Sequence, residues 1–119
     1  MSIRNLAWAA GLFEGEVSIG LYNLGGKWRK NSIKVSAAIN LTDEDVIRDF
    51  HSIVQLGKIR GPFTPKQFPN RKPIWSWEVQ TQQGVLDFLN LMIPYLGKRR
   101  LEKALLVKET LLTRRLTNA

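Results

Sequence analysis

The sequence has no cysteine, a single histidine and only 10 acidic residues. Without thiols there is no disulfide framework, no thiolate nucleophile and no cysteine-based zinc site, and one imidazole cannot build a histidine-rich metal centre. Any metal must sit on oxygen. Long apolar runs are missing too. The stretch from Leu6 to Phe13 stops at Glu14, far short of the roughly 20 residues that span a bilayer. It has no basic leader and no small-residue cleavage site, so the sequence reads as intracellular, with no signal peptide or transmembrane segment. Acid is scarce relative to base: 18 Lys and Arg against 10 Asp and Glu leave a net charge of +8. That excess favours a polyanionic partner, either nucleic acid or an anionic membrane surface.

What is present suits one packed domain spanning residues 1–119. Apolar residues make up 44% and charged residues 24% of the 119, which excludes a disordered tail and fits the usual domain size of about 100 to 150 residues. Residues Ile3 to Glu14 read as a short helix, apolar nearly all round and so expected to be buried, with Asn5 a plausible cap. Ala7, Gly11 and Gly15 recur on it every fourth residue, a face of little bulk that another backbone can approach. The simpler alternative is a glycine serving the turn that follows.

From Val17 the period changes to two. Val17, Ile19 and Leu21 alternate with Ser18, Gly20 and Tyr22, and after a basic loop from Asn23 to Asn31 the alternation resumes from Ile33 to Leu41. These two strands pair as an antiparallel hairpin. Thr42 caps a second helix reaching about Gln55, with Asp43, Glu44 and Asp45 favouring its positive end. Gly57 to Gly61 and Ile74 to Gln80 form a second hairpin around a proline-punctuated loop from Pro62 to Pro73. Trp75, Trp77 and Val79 share one side of its second strand and are expected to pack under the helices. Thr81 opens a third helix, Pro94 breaks it, and Arg99 to Arg114 form a basic amphipathic last helix. The expected order is α-β-β-α-β-β-α-α.

The cations fall in three groups: Lys27, Arg29, Lys30 and Lys34 on the first hairpin; Lys58, Arg60, Lys66, Arg71 and Lys72 on the second; Lys98, Arg99, Arg100 and Lys103 at the last helix. Each alone could be a solvated surface. Together they put charge on hairpin tips and polar strand faces, where a twisted sheet meets a duplex groove and its loops meet phosphates. Membrane binding is the weaker reading, since the aliphatic face of the last helix is more simply used by the core. Trp28, inside the first basic loop, is a contact candidate, and His51 reads as structural. Glu14-Gly15-Glu16, at the end of the apolar helix, is either a pair of ordinary surface acids or, if Glu16 and the Gly15 carbonyl face a phosphate, a set of hard oxygens suited to Mg²⁺.

The run Trp8-Ala9-Ala10-Gly11-Leu12-Phe13-Glu14-Gly15-Glu16-Val17-Ser18-Ile19 resembles the signature of LAGLIDADG homing endonucleases, and the element order resembles their α-β-β-α-β-β-α core over nearly the whole chain. Lys34 to Phe50, and Pro94-Tyr95-Leu96-Gly97-Lys98-Arg99-Arg100, also resemble family segments. Two positions depart from the signature: Val17 stands where it usually closes on glycine, and Glu16 replaces the commoner aspartate.

The resemblance implies an α+β fold, with a four-stranded antiparallel DNA-binding sheet and helices on one face. It implies a homodimer joined through Ala7, Ala10 and Gly11, cutting both strands of a long, nearly palindromic double-stranded DNA site. Glu16 and Gly15 would hold Mg²⁺. Lys98, with Arg99 and Arg100 as neighbours, would offset charge on the phosphate, and Asp43, or else Asn40 or Thr42, would be the polar partner of the water. Ser18, Tyr22, Lys34, Ser36, Asn40, Lys58, Arg60, Ser76, Glu78 and Gln80 would read bases, with Lys27, Arg29, Lys30, Arg71 and Lys72 at the hairpin tips. The alternatives are a cleavage-deficient DNA-binding regulator or intron RNA maturase on the same fold, and a basic protein that binds nucleic acid without sequence preference.

Overall fold

The computed structural model describes residues 3–16, 18–23 and 33–117. The elements follow the expected order: α1 (Ile3–Glu16), β1 (Ser18–Asn23), β2 (Ile33–Leu41), α2 (Glu44–Val54), β3 (Lys58–Phe63), β4 (Ile74–Val79), α3 (Gln82–Met92), a 3₁₀ turn (Ile93–Tyr95) and α4 (Lys98–Thr117). The four strands form one antiparallel sheet in the order β1-β2-β4-β3.

Register divides the sheet by parity. Ser18 pairs with Ala38, which pairs with Glu78, which pairs with Lys58; two residues along, Asn40 pairs with Ser76 and Ser76 with Arg60. Every even-numbered strand residue in these rows therefore lies on one face, because side chains alternate along a strand. The odd rows, Ala37 with Val79 and Ile39 with Trp77 and then Ile59, form the other face. All four helices contribute to the core on that odd face, through Phe13, Phe50, Phe88 and Leu111 among others.

Trp77 is the centre of the packing. It is fully buried, its ring lies 4.8 Å from Phe50 and 4.9 Å from Phe88, and Phe13 stacks 5.2 Å from Phe88. Its indole N–H donates to the Leu56 carbonyl at 2.8 Å, which satisfies the one polar atom of the largest core side chain. Trp75 is half-buried, with the Arg48 guanidinium 5.4 Å from its ring centre. The turn from α2 into β3 depends on glycine: Gly57 has φ +82°, and a Cβ there would lie 2.6 Å from the Glu78 carbonyl of β4.

Several boundaries differ from the sequence reading. Helix α1 continues two residues past Glu14, so the acids lie within its last turn and not beyond it. It is also only half covered: Ala9, Ala10 and Phe13 are buried, whereas Ala7, Trp8, Gly11 and Gly15 are exposed. The cap of α2 is Asp43 and not Thr42, and its side chain makes no capping bond. Strand β3 runs through Pro62 to Phe63, with a register shift after Arg60. A proline is tolerated there because β3 is an edge strand. Helix α4 begins one residue earlier, at Lys98. Thr81 does cap α3, its hydroxyl accepting from the Gly84 N–H at 3.0 Å. Among the described residues, no helix is long and apolar enough to cross a membrane.

Candidate nucleic-acid interface and catalytic corner

The polar face of the sheet gathers most of the residues expected to meet DNA. Ser18, Lys34, Ser36, Asn40, Lys58, Arg60, Ser76 and Glu78 occupy even positions of the four strands, and Gln80 follows directly after β4. Lys34, Asn40, Lys58, Arg60 and Gln80 are exposed. Tyr22 pairs in the backbone with Lys34. Lys27, Trp28, Arg29, Lys30 and Val17 lie outside the described residues. Arg71 and Lys72 are exposed in the segment between β3 and β4, where the Arg71 guanidinium stacks 4.2 Å from the Phe68 ring centre. Phe63 and Phe68 are also exposed at this end, an aromatic signal that the sequence reading did not use.

Within that face Glu78 is not a free acceptor. Arg60 Nε lies 2.6 Å from its Oε1, and Gln80 Nε2 donates to its Oε2 at 3.3 Å. The side chain of Glu78 is 18% exposed against 57% for Arg60. The two residues are not directly opposite each other, since Arg60 pairs with Ser76 and Glu78 with Lys58, so the bridge runs diagonally across the hairpin.

At one end of the sheet the last turn of α1 meets the first turn of α4. Glu14 Oε1 accepts a hydrogen bond from the Gly97 N–H, and the Glu14 carbonyl accepts from Arg100 Nε at 3.2 Å. Arg100 also lies over the Phe13 ring at 5.9 Å. A shallow groove of about 290 Å³ is lined by Glu14, Gly97, Lys98, Arg99 and Arg100. The local electrostatics are simple. The last carbonyls of α1 have no partner within their helix and carry partial negative charge, and the first amides of α4 carry partial positive charge. Two acids and three cations reinforce those ends.

Glu16 is exposed on the final residue of α1, two residues beyond the one that ties the helices together. The α1–α4 groove thus brings Lys98, Arg99 and Arg100 to the helix end that bears Gly15 and Glu16. Asp43, at the cap of α2, is not among the residues lining the groove, and neither are Gly15, Glu16 and Asn40. Asn40 has a clearer relation to this corner. The β1–β2 pairing starts with Ser18 opposite Ala38, and Asn40 lies one step further on the same face, at the end where α1 finishes. Among the described residues, no group of three carboxylate or imidazole side chains gathers into a metal-binding cluster. The oxygens at this helix end, the Glu16 carboxylate and the helix-terminal carbonyl of Gly15, are hard donors of the kind Mg²⁺ prefers.

The small-residue face of α1 is open: an added Cβ at Gly11 or Gly15 would meet nothing within 4 Å. Ala7 shares that exposure. Ala10 does not. It is 1% exposed inside its own chain and belongs to the core, so of the three residues expected at a seam only Ala7 and Gly11 lie on the open face, with Gly15 beside them. The cause is helical period: position 10 sits about 100° round from position 11 and faces the sheet.

No family model matches the sequence, and no curated protein sequence matches it significantly. The structure has clear relatives. The homing endonuclease I-CvuI, in complex with its target in the presence of calcium, superposes with a TM-score of 0.75 at 17% identity, over 98% of this chain and 73% of that one. An archaeal intron-encoded homing endonuclease complexed with DNA gives 0.75 at 12% identity, over 98% and 70%. The LAGLIDADG homing endonuclease I-GzeII, in complex with a DNA target, gives 0.75 at 15% identity, over 99% of this chain but 39% of that one. The chain has the LAGLIDADG homing endonuclease fold.

Proposed function

We propose that this chain is a site-specific DNA endonuclease that acts as a homodimer with Mg²⁺. The observation that carries the reading is the junction of two features: a cationic, even-numbered sheet face, and a helix end bearing Glu16 next to Lys98, Arg99 and Arg100. Similarity to solved homing endonucleases complexed with DNA supports it.

The sheet face lies in the groove of a duplex and reads base edges, while exposed cations between β3 and β4 hold phosphates. Glu16 and the Gly15 carbonyl would hold Mg²⁺. When bound, that ion supplies Lewis-acid activation of water and neutralises the scissile phosphate. Lys98, in the first turn of α4, sets a positive charge where negative charge develops on the phosphate. Asn40 suits the role of polar partner to the attacking water better than Asp43, because it shares the DNA-facing side with Ser18. One acid per chain cuts one strand. A second copy related by a twofold axis supplies the other, and the exposed Ala7, Gly11 and Gly15 face allows the close approach that such a pair needs.

The test is selection of bound and cut duplexes from a randomised library, with and without Mg²⁺. Recovery of one near-palindromic sequence cut on both strands only with the metal establishes the activity. Selective binding to duplex DNA without cutting assigns the chain to the regulators. Preference for a structured RNA assigns it to the maturases.

A further inference from the structure

A carboxylate in the middle of a surface built for a polyanion weakens binding by repulsion, so Glu78 needs a reason to be there. Both of its oxygens are engaged, Oε1 by Arg60 and Oε2 by Gln80. Each oxygen already has a partner and the side chain is only 18% exposed, so Glu78 presents less of itself to a base edge than Arg60 does. What it does offer is orientation. The ion pair is made at Nε of Arg60, on the side edge of the guanidinium, so the end-on pair of N–H groups, one from each terminal nitrogen, is not the edge that meets the carboxylate, on a side chain that is 57% exposed. The backbone beneath is fixed: Arg60 is the last residue of the regular β3–β4 register, and the neighbouring Trp77 is fully buried and tied to Leu56.

Resting on the duplex-binding reading above, we infer that Arg60 reads a guanine and that Glu78 is its positioning residue, not a base reader. The two terminal N–H groups of a guanidinium match O6 and N7 of guanine in the major groove, whereas an untethered arginine beside DNA turns to the nearest phosphate. Glu78 denies Arg60 that alternative. Selectivity at one base pair is obtained at a cost in overall affinity, and the two effects separate on mutation.

The experiment measures binding of the full chain to its selected duplex, to every single-pair variant of it and to unrelated duplex, for the original protein and for Arg60→Lys, Glu78→Ala and Glu78→Gln. Circular dichroism checks that each variant is folded. The original protein should disfavour loss of one guanine per half-site by roughly ten- to a hundredfold. Arg60→Lys, which keeps the charge but loses the fork, should reduce that penalty to a few-fold. Glu78→Ala should also erase the preference while binding unrelated duplex more tightly. Glu78→Gln, which keeps an acceptor for Nε, should retain part of the preference. If Glu78→Ala keeps the guanine preference, or no guanine position responds to Arg60→Lys, the inference is overturned while the DNA-binding reading stands. Failure of the original protein to bind any duplex overturns both.

Discussion

The carboxylate of Glu14 in α1 accepts from the backbone N–H of Gly97, the residue before α4 begins, across 83 positions of sequence. The same residue's carbonyl takes Arg100 Nε. Glu14 thus holds the negative end of one helix against the positive end of another, and so sets the spacing between Glu16 and Lys98. This role gives Glu14 and Glu16, two acids on one turn, different expected mutants.

For Glu14, an amide replacement keeps an oxygen that can accept from Gly97. Glu14→Gln is expected to retain most of the cleavage activity. Glu14→Ala leaves the Gly97 N–H without its acceptor and should cost about 1 kcal/mol of stability, with a larger loss in cleavage rate than in DNA affinity. Urea unfolding and single-turnover cleavage of the selected duplex check both.

Glu16→Gln is expected to leave the fold and DNA binding intact and to abolish Mg²⁺-dependent cutting, since a neutral amide is a poor ligand for a hard dication. Loss of a negative charge near phosphates should also tighten binding in metal-free buffer. Undiminished cutting by this variant removes Glu16 from the site.

For the seam, Gly11 has open space around its missing Cβ within one chain. Gly11→Ala should therefore stabilise an isolated chain by about 1 kcal/mol through helix propensity. Gly11→Leu should leave the fold of each chain intact and separate the copies, by obstructing close helix approach. Light scattering reports the mass, and circular dichroism the fold. A single-chain mass for the original protein at micromolar concentration would sink the homodimer and the two-strand mechanism with it.

Lys72, exposed at the segment between β3 and β4, should act as a phosphate contact. Lys72→Ala is expected to weaken binding to all duplexes alike and to lower the slope of log K against log salt by about one unit. A change confined to one base pair would make Lys72 a reader instead.

The strand positions were legible because alternation is a local signal: Ile33 to Leu41 reads directly as β2, and the parity that separates Ser36 from Val35 is visible without any partner strand. The helix pattern of α3, with its cap at Thr81, was equally local. Three things were not. The half-exposure of α1 depends on how one helix sits on a sheet, and an Ala-rich helix carries little amphipathic contrast to reveal it. Glu14 to Gly97 and Arg60 to Glu78 are side-chain contacts between distant segments, on which periodicity is silent. Nor could composition show that Ala10 faces its own core, since alanine serves a core and a seam equally well. The cap at Asp43 in place of Thr42 is a shift of one residue among several competent capping side chains.

If the sheet face reads DNA as proposed, its parity bears on how the protein would acquire a new target. The even positions face the solvent side while the odd positions carry Trp77, Ile39 and Val35 in the core, so on that reading substitution at an even site would redraw the preferred base sequence with little penalty to folding. A single-residue insertion within a strand exchanges the two sets at once, sending the aromatic core outward and the cations inward. Retargeting is therefore open to point changes and closed to small insertions or deletions within the strands, which makes the even positions a natural choice for a combinatorial library.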